Sequence, residues 1–240
     1  MKIEEQDDGR SGGRRIRRWP GLLVTAAGAI VVVAVTWGLL SAHTYRPSSG
    51  AQVAKSLGSA VVDGKAIRHV ALQFSFYPFA NGTVGGVPIH PHGNWTWPTI
   101  GPTSDFQVPA HTLVTVTVRQ YDGGATITDP WFAKVRGTVG DVATVDGRVV
   151  HGIDPTSIGH TFLLRSLPGL SPTFLVNVPF PAVADHWSDQ GPSHVTVFSF
   201  VSGPKGTYAW NCEFPCGQMV AMGGAAMSTN GYMSGYLHVV

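Results

Sequence analysis

Hydrophobic and polar residues alternate along several segments of the chain with the period of two that is typical of half-buried β-strands. Residues 70–76, 114–118 and 174–178 show this pattern most clearly, and each run is bounded by Gly, Pro or Asp. Less regular runs follow at 160–164, 194–201, 206–212 and 235–240. Beyond residue 42 no helical pattern continues for more than a few turns. The pattern therefore predicts a mainly β fold, an antiparallel sandwich or barrel.

The segment before these strands has a different pattern, because residues 21–42 carry no charged side chain. As a helix, a run of this length spans the hydrocarbon core of a bilayer, which is about 30 Å thick. We therefore expect a transmembrane helix over 20–42. Arginines cluster just before it, so the positive-inside rule makes residues 1–19 a basic cytoplasmic tail. A cleaved signal peptide is the alternative interpretation.

Residues 43–68 are rich in Gly and Ser and show no sustained period, which indicates a linker. The strands after it favour a single domain over residues 69–240, and the topology places that domain outside the cytoplasm. The chain is therefore expected to be a single-pass protein of the cell membrane.

Charge and motifs exclude several functions. The chain has 16 Lys and Arg against 14 Asp and Glu, a formal net charge of +2, and all of this excess lies in the first 19 residues. A neutral outer domain makes nucleic acid an unsuitable partner. The sequence also lacks a nucleophile elbow, a phosphate-binding loop and a dinucleotide-binding fingerprint, which disfavours an independent hydrolase or kinase.

Sulfur is concentrated near the carboxyl end. The two cysteines, Cys212 and Cys216, lie four positions apart with Glu213 between them. Every methionine except the initiator follows Cys216, and these are Met219, Met222, Met227 and Met233. Thiolate and thioether ligands select copper, particularly Cu(I), over hard ions. This segment is therefore a candidate copper site.

Strand alternation predicts how the donors face. Tyr208, Trp210 and Cys212 share one face of the strand that leads into the sulfur-rich segment, so we expect Cys212 to point inward at the strand end. His160 opens the run GHTFLL and shares its face with Phe162, which makes it a second inward donor.

Four segments resemble the cupredoxin superfamily. They are FQVPAHTLVTVTVRQYD at 106–122, GHTF at 159–162, GTYAWNCEFPCG at 206–217 and GYMSGYLHVV at 231–240. The resemblance implies a Greek-key sandwich that holds copper. The Cys-x3-Cys-Gly sequence with a nearby glutamate is also similar to the outer copper domain of cytochrome c oxidase subunit II, another membrane-anchored cupredoxin.

The chain departs from both patterns, because no histidine follows the cysteines where these proteins have one. Val220 and Gly223 occupy the positions of the subunit II histidine and methionine. One interpretation is that Cys216, preceded by Pro215, replaces the missing histidine. The predicted copper ligands are then His160, Cys212 and Cys216 with Met233 on the axis, and Glu213, Met219, Met222, Met227, His90 and His92 are further candidates.

By resemblance, the chain is an electron-transfer protein or one subunit of a larger oxidoreductase. It would pass electrons between a redox donor and respiratory oxidase subunits in the membrane. Two alternatives remain open. The chain could carry Cu(I) to an oxidase during assembly, or it could be a metal-free structural subunit with a Cys212–Cys216 disulfide.

Overall fold

Strands form where the sequence alternates, and they make the chain mainly β as predicted. The computed structural model describes residues 50–78, 83–84, 87–88, 97–123, 128–167, 173–183, 194–214 and 225–240. Two large sheets contain nearly all the described strands, and one further pair of short strands belongs to neither.

The first sheet has six strands. In spatial order they are β1 (Gln52–Val53), β7 (Phe106–Val108), β15 (Ser234–Val239), β14 (Gly206–Asn211), β11 (Ile158–Ser166) and β12 (Leu175–Pro181). β11, β12, β14 and β15 pair antiparallel, whereas β7 runs parallel to both β1 and β15.

The second sheet has seven strands. Six of them follow in the order β10 (Arg148–Val150), β9 (Ala143–Val145), β13 (His194–Val201), β8 (Leu113–Gln120), β3 (Lys65–Tyr77) and β2 (Lys55–Val62), and β6 (Thr99–Gly101) pairs with β3. β3 and β8 are parallel over eight residue pairs. The prediction of a purely antiparallel fold is therefore corrected, since both sheets are mixed.

The remaining elements are short. They are the pair β4 (Thr83–Val84) and β5 (Val87–Pro88), a 3₁₀ turn at Val139–Asp141 and the helix α1 (Ala225–Ser228). Among the described residues no helix is long and apolar enough to cross a membrane. The transmembrane helix predicted over 20–42 and the tail before it lie outside the described residues.

The predicted linker differs from the structure in its second half. Strands β1 and β2 and the first residues of β3 occupy Gln52–Arg68, where the sequence predicts an irregular linker over 43–68. β2 is an edge strand whose side chains are mostly exposed, so no alternation of apolar residues marks it. Backbone pairing with β3 places this strand in the sheet, and a hydrophobic pattern does not reveal such pairing.

Aromatic side chains from both sheets meet in the core. Phe74 of β3 stacks on Phe106 of β7 with ring centroids 5.2 Å apart. The ring of Phe162 of β11 lies 5.6 Å from that of Phe74. Trp210 of β14 stacks on Phe162 at 5.2 Å. These rings are almost fully buried, as strand alternation predicts. They form a dry layer beneath the end of β14, where the sulfur-rich segment begins.

Candidate metal centre

Cys212 lies at the inner surface of the sandwich, immediately after β14. Tyr208 and Trp210 point inward from that strand and Cys212 continues the alternation, with none of its surface exposed. Its backbone N–H donates to the carbonyl of Met233 at 2.9 Å. Its thiol sulfur lies 3.6 Å from the carbonyl oxygen of Phe214. The predicted inward direction of Cys212 is confirmed.

His160 reaches the same place from the neighbouring strand, β11. A register irregularity between Ile158 and His160 interrupts the pairing of β11 with β12 at this point. Gly159 between them allows a close approach of the chain, because an added Cβ would lie 2.7 Å from the carbonyl oxygen of Gly123. The imidazole of His160 is fully buried, and the ring of Phe76 packs beside it at 5.2 Å.

The two predicted principal donors are brought together. Nδ1 of His160 lies 3.7 Å from Sγ of Cys212. Bonds from a metal ion are about 2.0 Å long to imidazole nitrogen and about 2.3 Å long to thiolate sulfur. The two donor atoms are therefore close enough for both to bind one ion.

The other imidazole nitrogen is held by Asp122. Nε2 of His160 lies 2.7 Å from Oδ2 of Asp122, whose side chain is 15% exposed. A carboxylate only accepts hydrogen bonds, so Nε2 must carry the proton. In the neutral imidazole the lone pair is then on Nδ1, which faces the sulfur. A carboxylate on the outer nitrogen of a histidine ligand is the usual way in which proteins fix the orientation of such a ligand.

The charges around His160 favour its protonated form in the absence of metal. Burial lowers the pKa of His160. The hydrogen bonds to Asp122 and Cys212 and the negative charges of these two groups raise it by more, so that the pKa is about 10. A metal ion must therefore displace a proton from Nδ1 to bind there.

Met233 is close to Cys212 through the backbone. The carbonyl of Met233 accepts the Cys212 N–H, and its own N–H donates to Ala226 of α1 at 3.0 Å. Its side chain is fully buried, which is consistent with the predicted axial position. Met227, another candidate, is partly buried and packs against the core.

Glu213 faces away from this pair. Its carboxylate accepts hydrogen bonds from Arg165 at 2.7 Å and from Asn211 at 2.9 Å. Because Cys212 points inward, the next residue along the extended chain points outward. The position of Glu213 is thus at odds with a role as a ligand, and its ion pair lies on the outer face of the first sheet.

The other candidate ligands are Cys216, Met219, Met222, His90 and His92, and they lie outside the described residues. Within the described ranges no three His, Cys, Asp or Glu side chains form a group suited to a metal ion. Within the part of the chain that the structure describes, His160 and Cys212 are therefore a pair of donors and not a complete metal site.

Asp122 is the functional residue that sequence reasoning missed. It follows the alternating run of β8 by two positions, in a YDGG segment that reads as an ordinary turn. Its contact with His160 joins residues 38 positions apart. A single acidic residue after a strand gives no signal of such a contact.

Comparison with known proteins finds resemblance only among solved structures. No protein-family model and no curated protein matches the chain. Rusticyanin from Thiobacillus ferrooxidans is similar at 16% identity and a TM-score of 0.33, over 78% of this chain and 88% of that one. Auracyanin B is similar at 11% identity and a TM-score of 0.32, over 79% of this chain and 99% of that one. Both likenesses are low, so the chemistry of the site rests on its own side chains.

Proposed function

We propose that this chain is a membrane-anchored, cupredoxin-like protein that transfers single electrons through copper. The observation that carries the proposal is the buried pair of His160 Nδ1 and Cys212 Sγ, 3.7 Å apart, with Asp122 on the outer imidazole nitrogen. Cys216 and Met233 are the proposed third and axial ligands. A bound copper ion would supply reversible one-electron exchange between Cu(I) and Cu(II).

The donor set fits copper rather than a hard ion. A thiolate and an imidazole suit copper, whereas magnesium and calcium prefer oxygen ligands. His160 and Cys212 have no exposed surface, the ring of Phe76 packs beside His160, and Phe214, two residues after Cys212, is buried as well. Hydrophobic surroundings of this kind set the reduction potential of such a site.

The burial of the pair favours electron transfer over catalysis on a bound substrate. An electron can cross a few ångströms of packed protein, whereas a substrate would need an opening to the metal. The residues around the site would therefore hold the ligands in place and exclude water.

Replacing Asp122 by asparagine tests how the site holds His160. Asp122→Asn keeps the size of the side chain but removes its negative charge, so the imidazole becomes a poorer donor to Cu(II). We expect the affinity for Cu(II) to fall about 10-fold to 100-fold, the range typical of such outer partners. Competition titration with a chelator measures it. Asp154→Asn is the matched control, because the Asp154 carboxylate accepts hydrogen bonds from the N–H and hydroxyl of Thr156 in an exposed turn. Equal affinities in the two variants would contradict this role of Asp122.

The raised pKa of His160 makes copper binding depend on pH. Because a proton must leave His160, the affinity for copper should rise by about tenfold per pH unit between pH 7 and 9.

In the metal-free chain, the stability of the fold should instead fall as the pH rises. The stabilisation from protonated His160 is complete below its ordinary pKa of 6.5 and is lost as pH rises through about 10. Chelator competition and urea unfolding across this range measure the two effects. An affinity that stays constant between pH 7 and 9 would contradict the assignment of His160.

The wider role belongs to the same proposal. The apolar segment 20–42 would anchor the chain, with residues 69–240 on the outer side of the cell membrane. The partners would be a redox donor protein and respiratory oxidase subunits, as the resemblance to oxidase subunit II implies. Reversible reduction of the copper-loaded chain, with an intense thiolate-to-Cu(II) absorption band, supports electron transfer. Binding of Cu(I) without that band would support copper delivery instead.

A further inference from the structure

The side chain of Gln120 ties together the chain segments around Asp122. Gln120 is the last residue of β8 and is 1% exposed. Its Nε2 donates to the backbone carbonyl of Asp122 at 2.9 Å and to that of Pro181, the last residue of β12, at 2.6 Å. One amide therefore links the segment that carries the carboxylate to the strand beside His160.

One polar atom of Gln120 has no hydrogen-bond partner among the described residues. This atom is Oε1, which is buried. An unmade hydrogen bond at a buried acceptor is unfavourable, and an apolar side chain of similar length would avoid it. The presence of an amide here is explained by the two backbone carbonyls, of Asp122 and Pro181, that its Nε2 links.

The residue between Gln120 and Asp122 is also fixed. The N–H of Tyr121 donates to the carbonyl of Phe76 at 2.9 Å, and the Tyr121 ring stacks on Tyr77 at 5.3 Å. Phe76 is the residue whose ring packs against His160. The short segment from Gln120 to Asp122 is thus attached to β3 on one side and to β12 on the other.

We infer that Gln120 is a positioning residue for the metal centre. By holding the backbone of Asp122, it directs the Asp122 carboxylate to Nε2 of His160 and so keeps Nδ1 aimed at Cys212. The hydrogen bonds of the Gln120 amide go to backbone carbonyls and not to His160 or Cys212, so Gln120 acts on the site through Asp122. The inference rests on the proposed function, since it assigns Gln120 a role in holding the same copper ion.

The chain offers a matched control in Asn177. Asn177 is also fully buried, and its Nδ2 donates to the carbonyls of Phe132 at 3.0 Å and Lys134 at 2.7 Å. Its Oδ1, like Oε1 of Gln120, has no partner in the part of the chain that the structure describes. It pairs with Leu163, three positions along β11 from His160. Asn177→Leu removes the same kind of link at a place that does not hold Asp122.

The test compares Gln120→Met with Asn177→Leu in the full chain. We expect both to lower stability, but only Gln120→Met to lower the affinity for Cu(II), by up to about tenfold. In an Asp122→Asn background, Gln120→Met should change the affinity by less than about twofold, because residues acting in series are not additive. Equal effects of Gln120→Met in both backgrounds, or an equal loss of affinity in Asn177→Leu, would overturn the inference.

A second readout needs no copper and separates this inference from the proposed function. In the metal-free chain, the Nε2 proton of His160 should exchange slowly with water, and Gln120→Met should speed its exchange about tenfold while Asn177→Leu does not. Unchanged exchange in Gln120→Met would overturn the positioning role even if copper binds. Faster exchange in a chain that binds no copper would leave the positioning of His160 intact and refute the copper proposal alone. Gln120→Asn, which keeps the amide but shortens its reach, serves if the methionine variant does not fold.

Discussion

Replacing Cys212 by serine removes copper from the chain and leaves the sandwich folded. The hydroxyl of serine does not ionise near neutral pH and is a poor ligand for copper, so Cys212→Ser deletes the principal donor with little change in volume. We expect the loss of affinity to exceed the roughly 100-fold upper limit for an outer partner such as Asp122. Elemental analysis of the purified full chain and the thiolate-to-Cu(II) absorption band measure it.

Two further variants make this result specific. Tyr208→Phe is the control, because Tyr208 points inward from β14, just before Cys212, and its hydroxyl donates to the carbonyl of Pro204. It should retain copper in full. Cys216→Ser should weaken binding if Cys216 is the third ligand. Full copper occupancy in Cys212→Ser would mean that the site is elsewhere. A wild-type chain without copper or titratable thiols would support the disulfide-braced structural subunit.

Replacing Trp210 by alanine should cost more stability than any surface substitution. Trp210 is 1% exposed, stacks on Phe162, and its Nε1 donates to the carbonyl of Ser104 at 2.7 Å. Its removal leaves a large cavity between the sheets and an unmade bond at Ser104. We expect the free energy of unfolding to fall by about 3–5 kcal/mol. Urea denaturation of the metal-free chain measures the change without a contribution from bound copper.

Trp131 provides the comparison for that experiment. It is 43% exposed, and its ring lies 4.9 Å from the guanidinium carbon of Arg136. Trp131→Ala should cost about 0.5–1 kcal/mol, the value of an exposed cation–π contact. If Trp210→Ala were no more destabilising than Trp131→Ala, the aromatic layer beneath the site would not be the centre of the core.

The sequence predicts those parts of the fold that depend on local alternation. In β3 and β8 the apolar positions of the period-two runs are the buried ones, as expected. Which strands become neighbours depends on contacts between distant residues, so the parallel pairing of β3 with β8 could not be read from either run alone. β2 was not predicted, because it contains Gly and Ser and its mostly exposed side chains follow no hydrophobic pattern.

The candidate site divides in the same way. Inward alternation at the end of β14 and in β11 was enough to predict that the side chains of Cys212 and His160 point into the core. The network behind them was not predictable, because Asp122 reaches His160 only where Gly159 allows the 121–123 segment to approach β11. That approach is a property of backbone packing between distant segments. Gln120, at the end of a regular strand run, likewise reads as an ordinary strand residue.

If His160 and Cys212 together bind one copper ion, X-ray absorption at the copper edge of the loaded full chain will show both of them, because it identifies the atoms bonded to the metal. We expect a sulfur neighbour at about 2.3 Å and an imidazole nitrogen at about 2.0 Å, with the sulfur signal lost in Cys212→Ser. A copper ion surrounded only by nitrogen and oxygen would contradict it.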